Sequence, residues 1–318
     1  MNCFVTGGAG FIGSNLIDRL LKDDHTVAAY DNFSTGQERF LSSARESSRF
    51  TMHVGDMLDT GRLCQSIGGS DIVFHLAANA DVRFGLEHPG KDLEQNTIAT
   101  FNVLEAMRQN GVRRLVFSST GSVYGNPEVV PTPEDAEFPI QTSLYGASKL
   151  AGEGLIQAYC MGYGFQAYIF RFVSILGERY SHGHVFDFYK SLRKNPGELA
   201  VLGDGRQRKS YLYIQDCLDA ILLALEKSSS QVAIFNLGTD EYCEVNQSIG
   251  WITNQLGLHP ALTYSGGERG WVGDNPFIFL DCSRIRALGW VPRVSIRDGV
   301  VSTLRYLQAN SWLLDSRS

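Results

Sequence analysis

Three side chains in two short polar clusters carry the chemistry this sequence offers. The apolar run Leu115-Val116-Phe117 ends in Ser118-Ser119-Thr120, and LYGASK follows at 144–149 with Tyr145 and Lys149. Four residues of helix turn through ~400°, so Tyr145 and Lys149 share one face. A free tyrosine titrates near pH ~10 and is a poor base at neutrality. An ammonium beside it stabilises the phenolate and lowers that value. Thr120, at the end of an expected strand, offers a hydroxyl to the same reacting oxygen. The set suits removal of a proton from an alcohol, the companion of hydride transfer. Tyr-x-x-x-Lys alone also describes an ordinary solvated helix face, so its weight depends on the rest of the chain.

At the N-terminus, Val5-Thr6 leads into Gly7-Gly8-Ala9-Gly10-Phe11-Ile12-Gly13. Glycines at 7, 10 and 13, between a strand and a helix, allow a tight turn and close backbone approach. The helix start then presents N–H groups and partial positive charge to a pyrophosphate. Asp31 ends the next apolar run, 18 residues after Gly13. A carboxylate there accepts from a ribose 2′-OH and repels a 2′-phosphate, which favours NAD over NADP. Asp56, after the third run, suits the adenine edge and equally suits a strand-end or helix-cap acid. His75-Leu76-Ala77-Ala78 closes the fourth run with small residues, as needed where backbone lies against a cofactor.

The elements that must position these groups follow from periodicity. Strand-like runs stand at 2–6, 26–30, 50–54, 71–76, 113–118 and 166–173, and helical spacing at 11–22, 89–110 and 144–161. Strands alternating with helices predict an α/β fold, a Rossmann-type doubly wound parallel sheet with right-handed crossovers. After 175 the rhythm breaks. A loop at 176–183 precedes expected helices at 184–194, 215–227, 245–256 and 296–309, with strands at 199–202 and 233–237. The expectation is an NAD-binding domain over 1–175 and a smaller α/β lobe over 176–318, with shared elements and a soft boundary.

Composition narrows the function classes. The 318 residues are 43% hydrophobic and 19% charged, with a net charge of −6, and the chain has no long Lys/Arg cluster. These values fit a globular protein and argue against a nucleic-acid partner. The six cysteines form no C-x-x-C and are expected as reduced thiols in a cytoplasmic protein. Neither a leader-like start nor an apolar run of ~18 residues stands out, so no membrane partner is expected. His182 and His184 lack a nearby ligand set and read as loop or helix-start residues, so no metal is expected.

In order along the chain, VTGGAGFIGSNL, YDNFSTG, GDMLD, HLAANADVR, QNTIATFNVLEA, SSTGSVYG, YGASK, GDGRQRKSYLYIQD and RGWVGDNP resemble an extended short-chain dehydrogenase/reductase. The resemblance is to the nucleotide-sugar epimerase branch, the UDP-glucose/UDP-galactose 4-epimerases, and covers nearly the whole chain. It implies NAD as cofactor and a nucleotide sugar, a UDP-sugar first, as substrate. It places Tyr145, Lys149 and Thr120 in catalysis. Cofactor contacts are implied at Gly7, Gly10, Phe11, Ile12, Gly13, Asp31, Asn32, Ser34, Gly36, Asp56, Met57, Leu76, Ala77, Ala78, Asn96, Ser118, Tyr145 and Lys149. Substrate contacts are implied at Thr120, Ser174, Val185, Phe186, Lys209 and Arg269. A homodimer through the helices near 97–110 and 144–161 is implied in the same way.

Departures from the branch bear on the reaction. Dehydratases of this kind usually read Thr-Asp-Glu at the strand end, and decarboxylases carry Glu before Val-Tyr-Gly; here Gly121 and Ser122 stand there. With no local acid, a 4-keto sugar is expected to turn over and take its hydride back. Lys209 and Ser210 occupy places where relatives carry Arg and Asp. A lysine neutralises phosphate but makes no planar fork, so Arg206 or Arg208 is a substitute, and Arg269 a second phosphate candidate. Ser174 replaces a longer Asn. The alternatives left open are a dehydratase, a reductase, or an epimerase acting on a GDP-, CDP- or dTDP-sugar.

Overall fold

The computed structural model describes residues 1–80, 86–137, 140–270, 275 and 277–316. The chain gathers into two compact units that interleave along the sequence. The first holds Met1–Gly125, Pro139–Arg171 and Ala224–Phe235; the second holds Asn126–Phe138, Phe172–Leu223 and Asn236–Ser318.

The first unit is built on β1 (Asn2–Thr6), β2 (Thr26–Asp31), β3 (Phe50–Val54), β4 (Ile72–His75), β5 (Arg114–Thr120) and β6 (Gln166–Phe172). With Val232–Leu237 at one edge, the sheet runs in the order Val232–Leu237, β6, β5, β4, β1, β2, β3. β1 pairs in parallel with β2 and β4, β2 with β3, and β4 with β5. Central strands are buried on both faces, as βαβ crossovers require. All four residues of β4 are buried, whereas β3 (FTMHV), at the edge, has none buried. The chain reverses its winding between β1 and β4, and their carboxyl ends, Thr6 and His75, lie in register. Open α/β sheets take ligands at this kind of switch point.

Helices α1 (Phe11–Lys22), α2 (Thr60–Ile67), α3 (Ala99–Gln109) and α4 (Leu144–Tyr163) flank the strands. A core of Phe4, Tyr30, Leu63, Ile67, Val103, Leu115, Phe117 and Ile156 joins α2, α3 and α4 to the sheet. Fully burying each such side chain is worth about 1.5–3 kcal/mol. Two elements differ from expectation. The stretch expected as one helix over 89–110 is a helical turn at Pro89–Asp92, a π-helical segment at Leu93–Ile98, and then α3. The wider π turn turns Asn96 inward, where it is 1% exposed and hydrogen-bonded. Helix α2 shows only Leu63 and Ile67 as an apolar stripe, too short to stand out, and Asp59 caps it by accepting from Arg62 N at 3.0 Å.

The second unit carries α5 (His184–Lys194), the strand pair Ser174–Leu176 with Tyr211–Tyr213, and a small three-stranded sheet centred on Arg208–Lys209. Helices Val245–Leu256 and Ile296–Ala309 pack on each other and on α5. No helix among the described residues is long and apolar enough to cross a membrane.

Candidate active site

The glycine loop is closed so tightly that its glycines are obligatory. Gly7 has φ +68, and a Cβ there would stand 2.8 Å from Ala77 N. A Cβ on Gly13 would stand 2.2 Å from the Gly7 carbonyl oxygen. Helix α1 therefore rests directly on the loop. Its first residues, Phe11 and Ile12, follow Gly10, which gives no side-chain cap. Ala77 N and Leu76 N each donate to Thr6 Oγ1 at 3.2 Å, which fixes the end of β4, with Ala78 next, against the same loop.

Asp31 organises the loop that follows β2. One carboxylate oxygen accepts from Ala9 N (2.9 Å) and the other from Phe33 N (2.8 Å). Burial raises its pKa, against these two bonds. A Cβ on Gly36 would come within 2.9 Å of Asp31 Oδ1, so backbone approaches the acid there. Asn32 donates to Asp56 Oδ2 at 2.9 Å and accepts from Ser34 N at 3.0 Å. Met57, after Asp56, is buried. A cradle that a Cβ would fill, an uncapped helix start and an acid held by two backbone N–H groups together fit the pyrophosphate and ribose of a dinucleotide.

The strand end and α4 bring the catalytic candidates together. Ser143 caps α4, accepting from Gly146 N at 3.0 Å, two residues before Tyr145. Thr120 lies near the Tyr145 phenol, and its Oγ1 accepts from Ser122 N at 3.1 Å. Burial pushes the Tyr145 phenol up to about 12; Thr120 works the other way. Lys149 is 2% exposed and donates to the Ser118 carbonyl at 2.8 Å. Burial lowers it to about 7, against the field of Glu153, which favours the charged form. A phenolate beside Lys149 would restore its charge, so the two titrations are linked.

Asn96 ties α4 to the π segment. It donates to Ser148 Oγ at 2.9 Å and accepts from Asn79 N at 2.9 Å. Behind it, Thr100 donates to the Asn96 carbonyl at 2.5 Å and so accepts from His75 Nε2 at 3.0 Å. Thr6 Oγ1 lies 2.8 Å from His75 Nδ1. The network holds His75 neutral, with its proton on Nε2. Burial, then Lys149, depress its pKa to about 3.

Sequence reasoning did not single out Ser119, Tyr124, Glu153 and Arg171. Ser119 donates to Glu153, which is fully buried. Arg171 binds Glu153 through Nη2 (2.7 Å) and Nε (3.0 Å) and donates to Tyr124 OH at 2.7 Å. The available signal was Glu153 four residues after Lys149.

In the second unit, Ser174 is exposed in its strand opposite Tyr211. Val185 and Phe186, in the first turn of α5, are buried. Lys209 Nζ donates to the Asn275 carbonyl at 2.7 Å. His184 lies 2.7 Å from Ser248 Oγ, and burial followed by Lys209 lowers its pKa to about 3. Arg208 lies 3.9 Å over the Phe277 ring. Arg269 is exposed. The ends of two motifs, Asp81–Arg83 and Trp271–Asp274, lie outside the described residues.

Comparison with known proteins matches this geometry to a family. A UDP-glucose 4-epimerase of Mycolicibacterium smegmatis is 32% identical over 320 residues, covering 98% of this chain and all of the relative. A crystal structure of UDP-galactose 4-epimerase superposes with a TM-score of 0.87 at 36% identity, over 98% of this chain and 100% of that one. The dTDP-glucose 4,6-dehydratase of Streptomyces venezuelae, solved with NAD bound, gives a TM-score of 0.91 at 26% identity over the full length of both. Residues 3–238 match the NAD dependent epimerase/dehydratase family. With its glycine cradle, its acid after β2 and its Thr-Tyr-Lys cluster, the chain belongs to that family of NAD-dependent nucleotide-sugar enzymes.

Proposed function

We propose that the protein inverts C4 of a UDP-hexose, UDP-glucose/UDP-galactose or an N-acetyl analogue, with NAD regenerated in place. The observation that carries this reading is the strand end. Thr120 and Tyr145 stand side by side there, and the turn that begins at this point, Gly121–Tyr124, supplies no acid. Tyr145 removes the proton from the sugar 4-OH, Thr120 holds the same oxygen, and Lys149 carries the positive charge that makes a buried phenolate accessible. Bound NAD supplies the hydride acceptor and returns the hydride. Gly7, Gly10, Gly13 and Asp31 hold its pyrophosphate and ribose, with Asn32, Ser34, Gly36, Asp56, Met57, Leu76, Ala77, Ala78, Asn96 and Ser118 around it. Residues 1–175 chiefly serve the cofactor and 176–318 the nucleotide sugar, through Val185, Phe186, Lys209 and Arg269, with Ser174 joining them from just before the boundary. Exposed Ile98 and Phe101, one turn apart on the helical stretch before Gln109, suit a homodimer.

A dehydratase reading draws on the likeness to the Streptomyces enzyme. Elimination needs an added acid and base near C5 and C6, and Gly121 and Ser122 supply neither. The test is a panel of UDP-sugars followed by NMR. We expect a C4 epimer of unchanged mass, no consumption of external NAD(H), and retention of deuterium placed at C4. Loss of water, stoichiometric NADH or washout of the label would overturn the reading.

A further inference from the structure

The Glu153–Arg171 pair lies behind the catalytic cluster, inside the first unit. Helix α4 meets the end of β5 at three successive stations. Tyr145 lies beside Thr120, Lys149 donates to the Ser118 carbonyl, and Glu153 accepts from Ser119 between them. Glu153 has no exposure, and Arg171 is 7% exposed. The Arg171 fork takes both Glu153 oxygens and extends to Tyr124, the last residue of the turn that Thr120 starts. The Arg171 guanidinium also lies 4.8 Å over the Tyr124 ring. One buried ion pair thus grips the helix, the strand end and the turn after it.

We propose that Glu153, clamped by Arg171, is a positioning residue of this site: one helical turn beyond Lys149, it sets a negative charge behind the ammonium, and it fixes the strand end that Lys149 bonds and Tyr145 adjoins. Packing alone does not account for the pair, since a buried ion pair often stabilises no more than apolar residues of the same volume. Among the described residues, the charged and titratable groups acting on the pair are few. His75 is neutral, Asp92 acts on Tyr145, and Glu153 is the acid acting on Lys149. The proposal rests on the proposed roles of Tyr145 and Lys149 but not on the identity of the sugar.

The test reads Lys149 directly in the purified, cofactor-loaded protein labelled with 13Cε-lysine. In Glu153→Gln we expect the Lys149 titration midpoint to fall by at least ~0.5 pH unit, as loss of a nearby opposite charge requires. Because that variant leaves Arg171 buried without its partner, Glu153→Gln/Arg171→Gln provides a neutral, hydrogen-bonding pair that keeps the packing. Its Lys149 midpoint should fall by less than in the single variant, because a positive charge leaves together with the nearer negative one. Ser119→Ala, which leaves both charges, should leave the midpoint in place. An unchanged Lys149 midpoint in a folded variant without Glu153 would overturn the proposal and mark the pair as structural only. A failed sugar panel with a shifted midpoint would instead overturn the substrate reading.

Discussion

In the proposed reaction, Tyr145 and Lys149 are two groups poor in isolation that act together. Burial moves the phenol up and the ammonium down, each toward its neutral form. Burial alone favours a neutral pair, Glu153 works against it at Lys149, and positive charge from a bound cofactor would draw the phenol toward its anion. Replacing Tyr145 by Phe or Lys149 by Met should lower turnover by at least ~100-fold, as loss of an acid/base group or its tuning charge does. Stability should separate the two roles of Lys149. Its folded pKa of about 7 lies below the 10.5 of the unfolded chain. Between those values the unfolded state holds the extra proton, so stability rises with pH there, and the cost of burial is fullest below pH ~7. Lys149→Met should therefore melt several degrees above the parent at pH 6–7, with the gap closing toward pH 10. A melt of Lys149→Met at or below the parent at neutral pH would contradict this.

At the scale of elements, the glycine loop and α1 act as one piece. Gly13→Ala puts a Cβ against the Gly7 carbonyl, a backbone atom that cannot swing aside. The helix must shift, at a cost of about 1–3 kcal/mol, and the purified protein should retain little NAD. Gly250, inside Val245–Leu256, meets nothing within 4 Å, so Gly250→Ala should be neutral or gain up to ~1 kcal/mol. Thermal melts and cofactor content of the two variants check the contrast. Much of this level was legible in the chain. β1, α1 and β3 match their expected bounds, because apolar runs and a clean 3.6-residue stripe are local signals. The π segment was not legible. Its cause is the set of bonds that Asn96 makes to Asn79 and Ser148, residues 17 and 52 positions away.

Over the whole molecule, two histidines, His75 buried and His184 half-buried, couple folding to acid. His75 and His184 both titrate near 3 when folded, against 6.5 unfolded. Within that window the unfolded chain binds more protons, so each contributes a loss of stability as pH falls from about 6.5 toward 3. His184→Gln, which can still bond Ser248, should make the fall shallower by about one proton, measured as denaturant midpoints across that range. Equal slopes in parent and variant would show that His184 is already charged in the folded state.

The sequence by itself determined the alternation of strands and helices, the glycine turn with its acid after β2, and a helix face bearing Tyr145 and Lys149. Each is written within a few neighbouring residues, in periodicity, turn chemistry or spacing. The tertiary structure decided the strand order and the interleaving of two units, in which Ala224–Phe235 joins the first. It also decided the bond of Thr6 to His75 across 69 positions and the choice of Arg171 as partner for Glu153. A buried polar group must find a partner, but nothing local names which one; that choice is made only when distant segments pack and exclude water.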